Sequence, residues 1–437
     1  MSFQHQRVTI MGLGHFGGGL AVARWMARRG AVVTVTDVAD ETALADAMAE
    51  LRNEPIAAWH LGGHQRKDFR DADLVVVNPA VRPNNSYLAI ARRLATPLSS
   101  ETELFLRACP APVIGVTGSA GKSTTAAMTH AILRADGRRV WLGGNIGHSL
   151  LEDLERIRPQ DWVVLELSSF QLRHLMLEVH MPRVAVVTNC FPNHLDWHGS
   201  YDRYVAAKQR ILTGQTPDDL AVLGWKDTES GSWSRQVRGH LLTLVDEAAI
   251  PPLGVPGKHN RHNAVCAATA AAGVGCARES IRSALASFRA LSQRLEPLET
   301  IAGRRFVNDS TATTPESTVA ALQTVDGPVW LLAGGSDKGI NLEPLAMAVI
   351  ELARGAAFFG ATGGVLRDRV AALAPDFPCT AVVTMGEALD WCWQRSSRGD
   401  CILLSPACAS HDQFQNFRQR GEHFAELLGA LYRRHRR

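Results

Sequence analysis

Short apolar runs alternate with amphipathic stretches along the chain, and most of these runs end in a glycine-rich or polar turn. RVTIMGLGHFGGGLAVARWMARRGAVVTVTD shows the pattern first: it predicts a strand over Val8–Met11, a glycine turn, a helix, and a strand over Ala31–Val35 ending near Asp37. ADLVVVN at 72–78 predicts a third strand. Further on, strands are predicted over Pro112–Val116, Asp161–Leu165 and Val184–Thr188, with helices over Thr125–Leu133 and through YDRYVAAKQRIL. The last third repeats the theme with strands over Arg305–Val307, Val329–Ala333 and Cys401–Leu404. Strands that alternate with helices imply parallel, doubly wound sheets. The expected class is therefore α/β in three domains. These are a Rossmann-like segment over 1–109, a central segment over 110–295 and a second Rossmann-like segment over 296–437. Cys109-Pro110-Ala111-Pro112 marks the first boundary. The recurrence is shared architecture, with no fixed-period repeat.

Composition narrows the classes. Of 437 residues, 46% are hydrophobic and 20% charged, as in ordinary globular proteins. No apolar run approaches the ~20 residues that cross a bilayer. No charged-then-apolar leader precedes the first strand, so a cytoplasmic protein without a membrane partner is expected. A net charge of +3 is too balanced for nucleic acid as the main partner. The basic tail Arg433–Arg437 reads as a solvated end. The eight cysteines never form C-x-x-C, which indicates scattered thiols with neither a zinc site nor a disulfide framework.

Gly12, Gly14 and Gly17 form G-x-G-x-x-G, with His15 and Phe16 inside the turn and Asp37 at the end of the next strand. That arrangement presents bare backbone N–H groups and a helix start to a diphosphate. A dinucleotide, another diphosphate such as a UDP-sugar, and a merely tight turn all fit it.

TGSAGKSTT is more specific. Gly118, Ser119, Ala120, Gly121, Lys122, Ser123 and Thr124 join a strand to a helix, as in a phosphate-binding loop. Lys122 would place a cation beside the phosphates, and the Ser123 hydroxyl would reach Mg²⁺. Val116 stands where the strict spacing has glycine, so this is a variant loop. Glu166 closes the strand of DWVVLELSSFQL, where open sheets hold their ligands, and can hold a metal near those phosphates. His194, Asp196 and His198 crowd a strand-end loop, and His194 is the better metal or phosphate ligand there. Lys208, fourteen residues past His194, reads by itself as a solvated helix lysine. Asn260 and Asn263, one turn apart, could face one ligand or merely start a helix.

GSAGKST (118–124), NIG (145–147), ELSSFQL (166–172), NHLDWHG (193–199), YVAAKQRI (204–211), GKHNRHNA (257–264), NDSTATTPEST (308–318), GGSDKG (334–339) and LSPACASHDQF (404–414) together resemble the Mur ligases across essentially the whole chain. ELSSFQL and SPACASHDQF resemble the glutamate-adding branch of that family. The resemblance implies ATP-dependent ligation of glutamate, D-glutamate being favoured, to UDP-N-acetylmuramoyl-L-alanine through an acyl phosphate. It implies a UDP-binding first domain, which settles the glycine fingerprint for UDP. In the central domain it implies ATP and two Mg²⁺ ions, held by Ser123 and Glu166 and by His194 and a carbamylated Lys208. Asn145 and Ser168 would then touch the muramoyl substrate, and Asn260, Asn263, Arg294 and Asp309 would line the ATP site. Thr313, Lys338, Ser410 and Phe417 fall at the glutamate side. A monomer whose third domain closes on the second is expected, since water would hydrolyse a free acyl phosphate.

Three positions depart from the family pattern. Asp309-Ser310 is followed by Thr311 rather than lysine, and Thr314 replaces an asparagine. Asn78-Pro79-Ala80-Val81 stands in place of an S-P-G turn, and Asp37-Val38-Ala39-Asp40 lacks the arginine that often grips UDP. The wording D-S-x-x-T-T-P also fits a related branch that adds L-glutamate. A folylpolyglutamate-type ligase is the nearest other enzyme. A P-loop ATPase coupled to motion and a non-catalytic binding protein are the remaining classes.

Overall fold

The computed structural model describes residues 3–14, 17–146, 148–175, 181–224, 228–337 and 341–435. It is α/β throughout, built on three sheets. The first contains β1 (Arg7–Met11), β2 (Val32–Thr36), β3 (Ile56–His60), β4 (Leu74–Val77) and β5 (Leu98–Ser99), in the order β3-β2-β1-β4-β5. The second contains β6 (Val113–Thr117), β7 (Val140–Gly144), β8 (Trp162–Glu166), β9 (Val184–Val187), β10 (Leu220–Leu223) and β11 (His240–Leu241), in the order β11-β10-β9-β6-β8-β7. The third contains β12 (Glu296–Pro297), β13 (Arg305–Asn308), β14 (Val329–Gly334), β15 (Gly355–Phe359), β16 (Cys379–Ala381) and β17 (Cys401–Leu404), in the order β12-β13-β17-β14-β15-β16. All pairings are parallel except β12 with β13.

Every strand expected from the apolar runs forms, with ends shifted by a residue or two. The shifts have local causes. Ala31 is not in β2, because its N–H closes the preceding helix onto the Met26 carbonyl at 3.2 Å. Asp161 lies just ahead of β8, where its buried carboxylate accepts from Trp141 Nε1 at 2.9 Å and Arg158 N at 3.0 Å.

The chain forms two compact units. Met1–Pro251 with His262–Ala286 carries the first two sheets, and Pro252–Arg261 with Ser287–Arg437 carries the third. The boundary passes through the helix Lys258–Gly273. The first unit has one physical cause: a single apolar cluster runs from Val8, Val33 and Val35 of the first sheet to Val163, Leu165 and Ala185 of the second. The second unit packs both faces of β14 and β17, through Leu331 and Leu403 on one side and Leu332 and Leu404 on the other.

Candidate active site

In the second sheet β6 lies between β9 and β8, so the turn at its carboxyl end sits where the winding of the chain reverses. Ligands bind at such points in open parallel sheets. The residues Gly118–Gly121 fill that turn, and the helix Lys122–Ala135 follows. Gly121 has φ +78°, and a Cβ there would stand 2.2 Å from Asn263 Oδ1. At Gly118, φ +153°, a Cβ would stand 1.9 Å from Thr188 Oγ1. Only glycine fits either place. The loop is held from β9's end: Asn189 O accepts from Ser119 N at 3.1 Å, Asn189 Oδ1 accepts from Ala120 N at 2.9 Å, and Thr188 Oγ1 donates to Ala120 O at 2.6 Å. The first intrahelical bond runs from Thr125 N to Gly121 O at 2.9 Å. A helix start of this kind favours anions.

Two lysines converge on this loop. Lys122 Nζ donates to the carbonyls of Gly118 at 3.0 Å and Ser119 at 3.1 Å. Lys208 Nζ donates to the same Gly118 carbonyl at 2.7 Å. Lys208 is 1% exposed, so its reading as a solvated lysine is corrected. The helix Tyr201–Thr213 turns it inward over the Tyr204 ring, 4.6 Å from the ring centre. Burial, and then the charge of Lys122, hold the Lys208 amine well below the usual lysine range, against weaker pulls from Cys190 and Glu166. Tyr204 Oη lies 2.8 Å from Ser119 Oγ, which itself donates to Phe191 O at 2.8 Å.

On the other side, Ser123 Oγ donates to Glu166 Oε2 at 2.5 Å and Asn145 Nδ2 donates to Glu166 Oε1 at 2.8 Å. Glu166 is 2% exposed. A buried carboxylate beside a helix-start hydroxyl is chemistry that suits a hard divalent cation next to phosphate. Ser168 caps the helix Ser169–His174 in a capping box with Gln171. His194 precedes the short turn Leu195–His198 with φ +53°, and its ring packs 4.8 Å from Phe170. His198 is buried, 3.0 Å from Ser169 Oγ, and burial, Lys208 and Arg173 push its imidazole down to about 4.

In the first sheet Gly14 lies in the turn after β1, while His15 and Phe16 fall outside the described residues. Asp37 is buried, and its carboxylate accepts from Leu13 N and Ala39 N, each at 2.9 Å. It thus ties the glycine turn to the end of β2. In the second unit, Asp309 is 7% exposed and accepts from Leu295 N at 3.1 Å and Ser405 Oγ at 2.8 Å. Burial pushes its carboxyl up to about 7. Arg294 is half-buried, as are Thr313 and Phe417, and Ser410 is 2% exposed. Lys338 lies outside the described residues. Asn260, 6% exposed, donates to Pro256 O at 2.6 Å within the second unit, while Asn263 packs against Gly121 in the first.

Reasoning from sequence missed four residues that build these sites. Asn189 and Thr188 shape the phosphate loop, and Asn78, whose Nδ2 points to Gly12 O at 3.5 Å, backs the first glycine turn. A polar residue directly after an apolar strand was the available signal for all three. The fourth, Arg420, is 0% exposed; it donates to Ser310 Oγ at 3.1 Å, Ser310 O at 2.8 Å and Cys408 O at 3.0 Å. Nothing in the helical pattern of FRQRGEHF distinguishes it.

Comparison with known proteins gives three matches along the chain: a Mur ligase MurD-like N-terminal domain over residues 6–98, a Mur ligase middle domain over 116–250, and a Mur ligase glutamate ligase domain over 293–408. The UDP-N-acetylmuramoylalanine–D-glutamate ligase of Symbiobacterium thermophilum is 35% identical, with 98% of each chain covered. The protein of that name from Lactococcus lactis subsp. cremoris is also 35% identical, again over 98% of each chain. Among solved structures, the UDP-N-acetylmuramate–alanine ligase MurC of Thermotoga maritima shares the fold with TM-score 0.63 at 22% identity, over 98% of this chain and 100% of that one. MurF of Acinetobacter baumannii does so with TM-score 0.61 at 17% identity, over 99% and 91%. With a phosphate loop of this build at β6 and relatives matched from end to end, the chain belongs to the Mur ligase family.

Proposed function

We propose that this protein is an ATP-dependent ligase that joins D-glutamate to UDP-N-acetylmuramoyl-L-alanine in peptidoglycan precursor synthesis. The observation that carries the reading is the convergence of Lys122, Lys208 and the Ser123–Glu166 pair on one glycine loop. A carboxylate is a poor electrophile, so ATP first converts the acceptor's carboxylate to an acyl phosphate. The amine of glutamate then attacks the carbonyl carbon, and phosphate leaves. Phosphoryl transfer asks mainly for positioning and charge neutralisation. Lys122 supplies a cation at the phosphates, and the Gly118–Gly121 backbone with Thr124 and the helix start orients them. Magnesium, when bound at Ser123 and Glu166, neutralises further phosphate charge.

Lys208 is the unusual member. Its burial favours the neutral amine, the form that adds CO₂ to give a carbamate and release a proton. A carbamate is an oxygen ligand, and with His194 it would hold a second ion. Asn145 and Ser168 face the acceptor. The segment 1–109, with Gly14, His15, Phe16 and Asp37, takes the UDP end. The segment 110–295 takes ATP through the loop, Asn260, Asn263 and Arg294, joined by Asp309. The segment 296–437 takes glutamate at Thr313, Lys338, Ser410 and Phe417. We place the protein in the cytoplasm as a monomer. Among the described residues no helix is long and apolar enough to cross a membrane.

The test is phosphate release by the purified chain with ATP and Mg²⁺. Release is expected only when UDP-N-acetylmuramoyl-L-alanine and D-glutamate are both present. The D-S-x-x-T-T-P wording favours one second reading, the L-glutamate branch. Faster release with L- than with D-glutamate would transfer the assignment to it, and no ADP with either enantiomer would sink both.

A further inference from the structure

The first unit contains a cavity of about 1170 Å³ lined by none of the residues assigned above to acceptor, ATP or glutamate. It lies beside the edge strand β5. Arg82 lines it from the loop after β4, Arg92 from the helix Ser86–Arg93, Arg173 from the end of the helix Ser169–His174, and Arg203 and Arg210 from the helix Tyr201–Thr213. Among the described residues Asp196 is the only carboxylate in the lining. Among the described residues none of the five arginines makes an ion pair. Three of them donate to backbone carbonyls: Arg82 to Asp196 O at 3.1 Å, Arg92 to Pro83 O at 2.7 Å, and Arg210 to Leu175 O.

Like charges gathered this way repel unless an anion joins them. The convergence is felt at His174, whose imidazole is pushed down to about 4 by burial, with Arg173, Arg92 and Arg210 adding to the shift. Among the described residues, five arginines against one aspartate leave the lining with an excess of positive charge.

From this geometry we infer that the cavity is a binding site for a small diphosphate-bearing molecule. Guanidinium forks match phosphate oxygens in pairs. A diphosphate carries about three negative charges near neutral pH, close to the excess in the lining. The volume is too large for a single orthophosphate and too small for a macromolecule. The site stands apart from the phosphate loop and does not depend on the ligase reading.

Calorimetric titration with inorganic pyrophosphate tests it on three full-length chains: wild type, Lys122→Ala and the double variant Arg173→Ala/Arg203→Ala. Circular dichroism first establishes that the variants are folded. The expected result is a site retained in Lys122→Ala and weakened at least tenfold in the double variant, with affinity falling as salt rises. Loss of all binding in Lys122→Ala would place the pyrophosphate in the ATP loop and overturn the inference. Unchanged affinity in the double variant would overturn it too. Citrate bound as tightly as pyrophosphate would refute the diphosphate assignment in favour of a general anion trap.

Discussion

Two polar clusters sit at carboxyl ends of parallel strands in this protein, one after β6 and one after β13 and β17, and they are built in opposite senses. After β6, two lysines and a helix start crowd one glycine loop, and the nearby carboxylate, Glu166, is bonded to Ser123 and Asn145 rather than to either lysine. The cluster sets a cation, a buried amine held below its usual range and a carboxylate around one helix start. After β13, Asp309 is closed by Leu295 N and Ser405, and Arg420 is spent on Ser310 and Cys408. That cluster satisfies itself. Burial of polar groups therefore does not by itself mark a binding site; opposite charges gathered at one helix start do.

The contrast can be broken experimentally. Lys122→Ala should lower turnover at least about 10³-fold while leaving the thermal midpoint nearly unchanged, because the role we propose for its cation is at the phosphates and not in the core. Turnover within tenfold of wild type would end that role. In the self-satisfied cluster the expected cost is stability. Arg420→Met strips hydrogen bonds from two buried carbonyls and should destabilise the second unit by about 3 kcal/mol, read from urea unfolding. An unchanged unfolding midpoint would show that Arg420 is dispensable to the framework.

Lys208 joins the two behaviours, being buried like Arg420 yet placed like Lys122. Lys208→Ala should lose about 10²-fold in turnover, and short-chain carboxylates should restore part of it by standing in for the carbamate we propose. Absence of rescue, together with an unmodified lysine by mass spectrometry of the native chain, would argue against the carbamate.

The smallest effect concerns pH. The folded Asp309 carboxyl, near 7, lies above its unfolded value, so the folded state binds the extra proton between the two. Stability from this group is present at low pH and is lost as pH rises from the unfolded value through about 7, by at most about 1.4 kcal/mol per pH unit. Asp309→Asn should flatten that fall between pH 5 and 7. Equal slopes for the two chains would mean that Asp309 is ionised throughout this window.

Much of this was legible in the chain. Short apolar runs located β1, β2, β4, β6, β8, β9, β13, β14 and β17, because parallel strands buried on both faces need such runs; the other strands had gone unnamed. The loop residues 118–124 and Glu166 were legible because their spacing is local: a strand, a turn and a helix start. Asn189 and Thr188 escaped because they act across the sheet on a loop some seventy residues earlier, through a contact set by the β6–β9 register. The two-unit division escaped for a similar reason. The linker at Cys109–Pro112 separates segments, yet their apolar faces share one core.

The sequence by itself determined the periodicities, the turn chemistry and hence three α/β sheets with a phosphate loop, because these depend on neighbours within a few residues. Tertiary structure alone decided that Lys208 is buried beside Lys122, that Arg420 is an internal tie, and that five arginines from four separate elements surround one cavity. A side chain's charge state and partners are set by what the fold brings to it from far along the chain, and no local pattern encodes that distance.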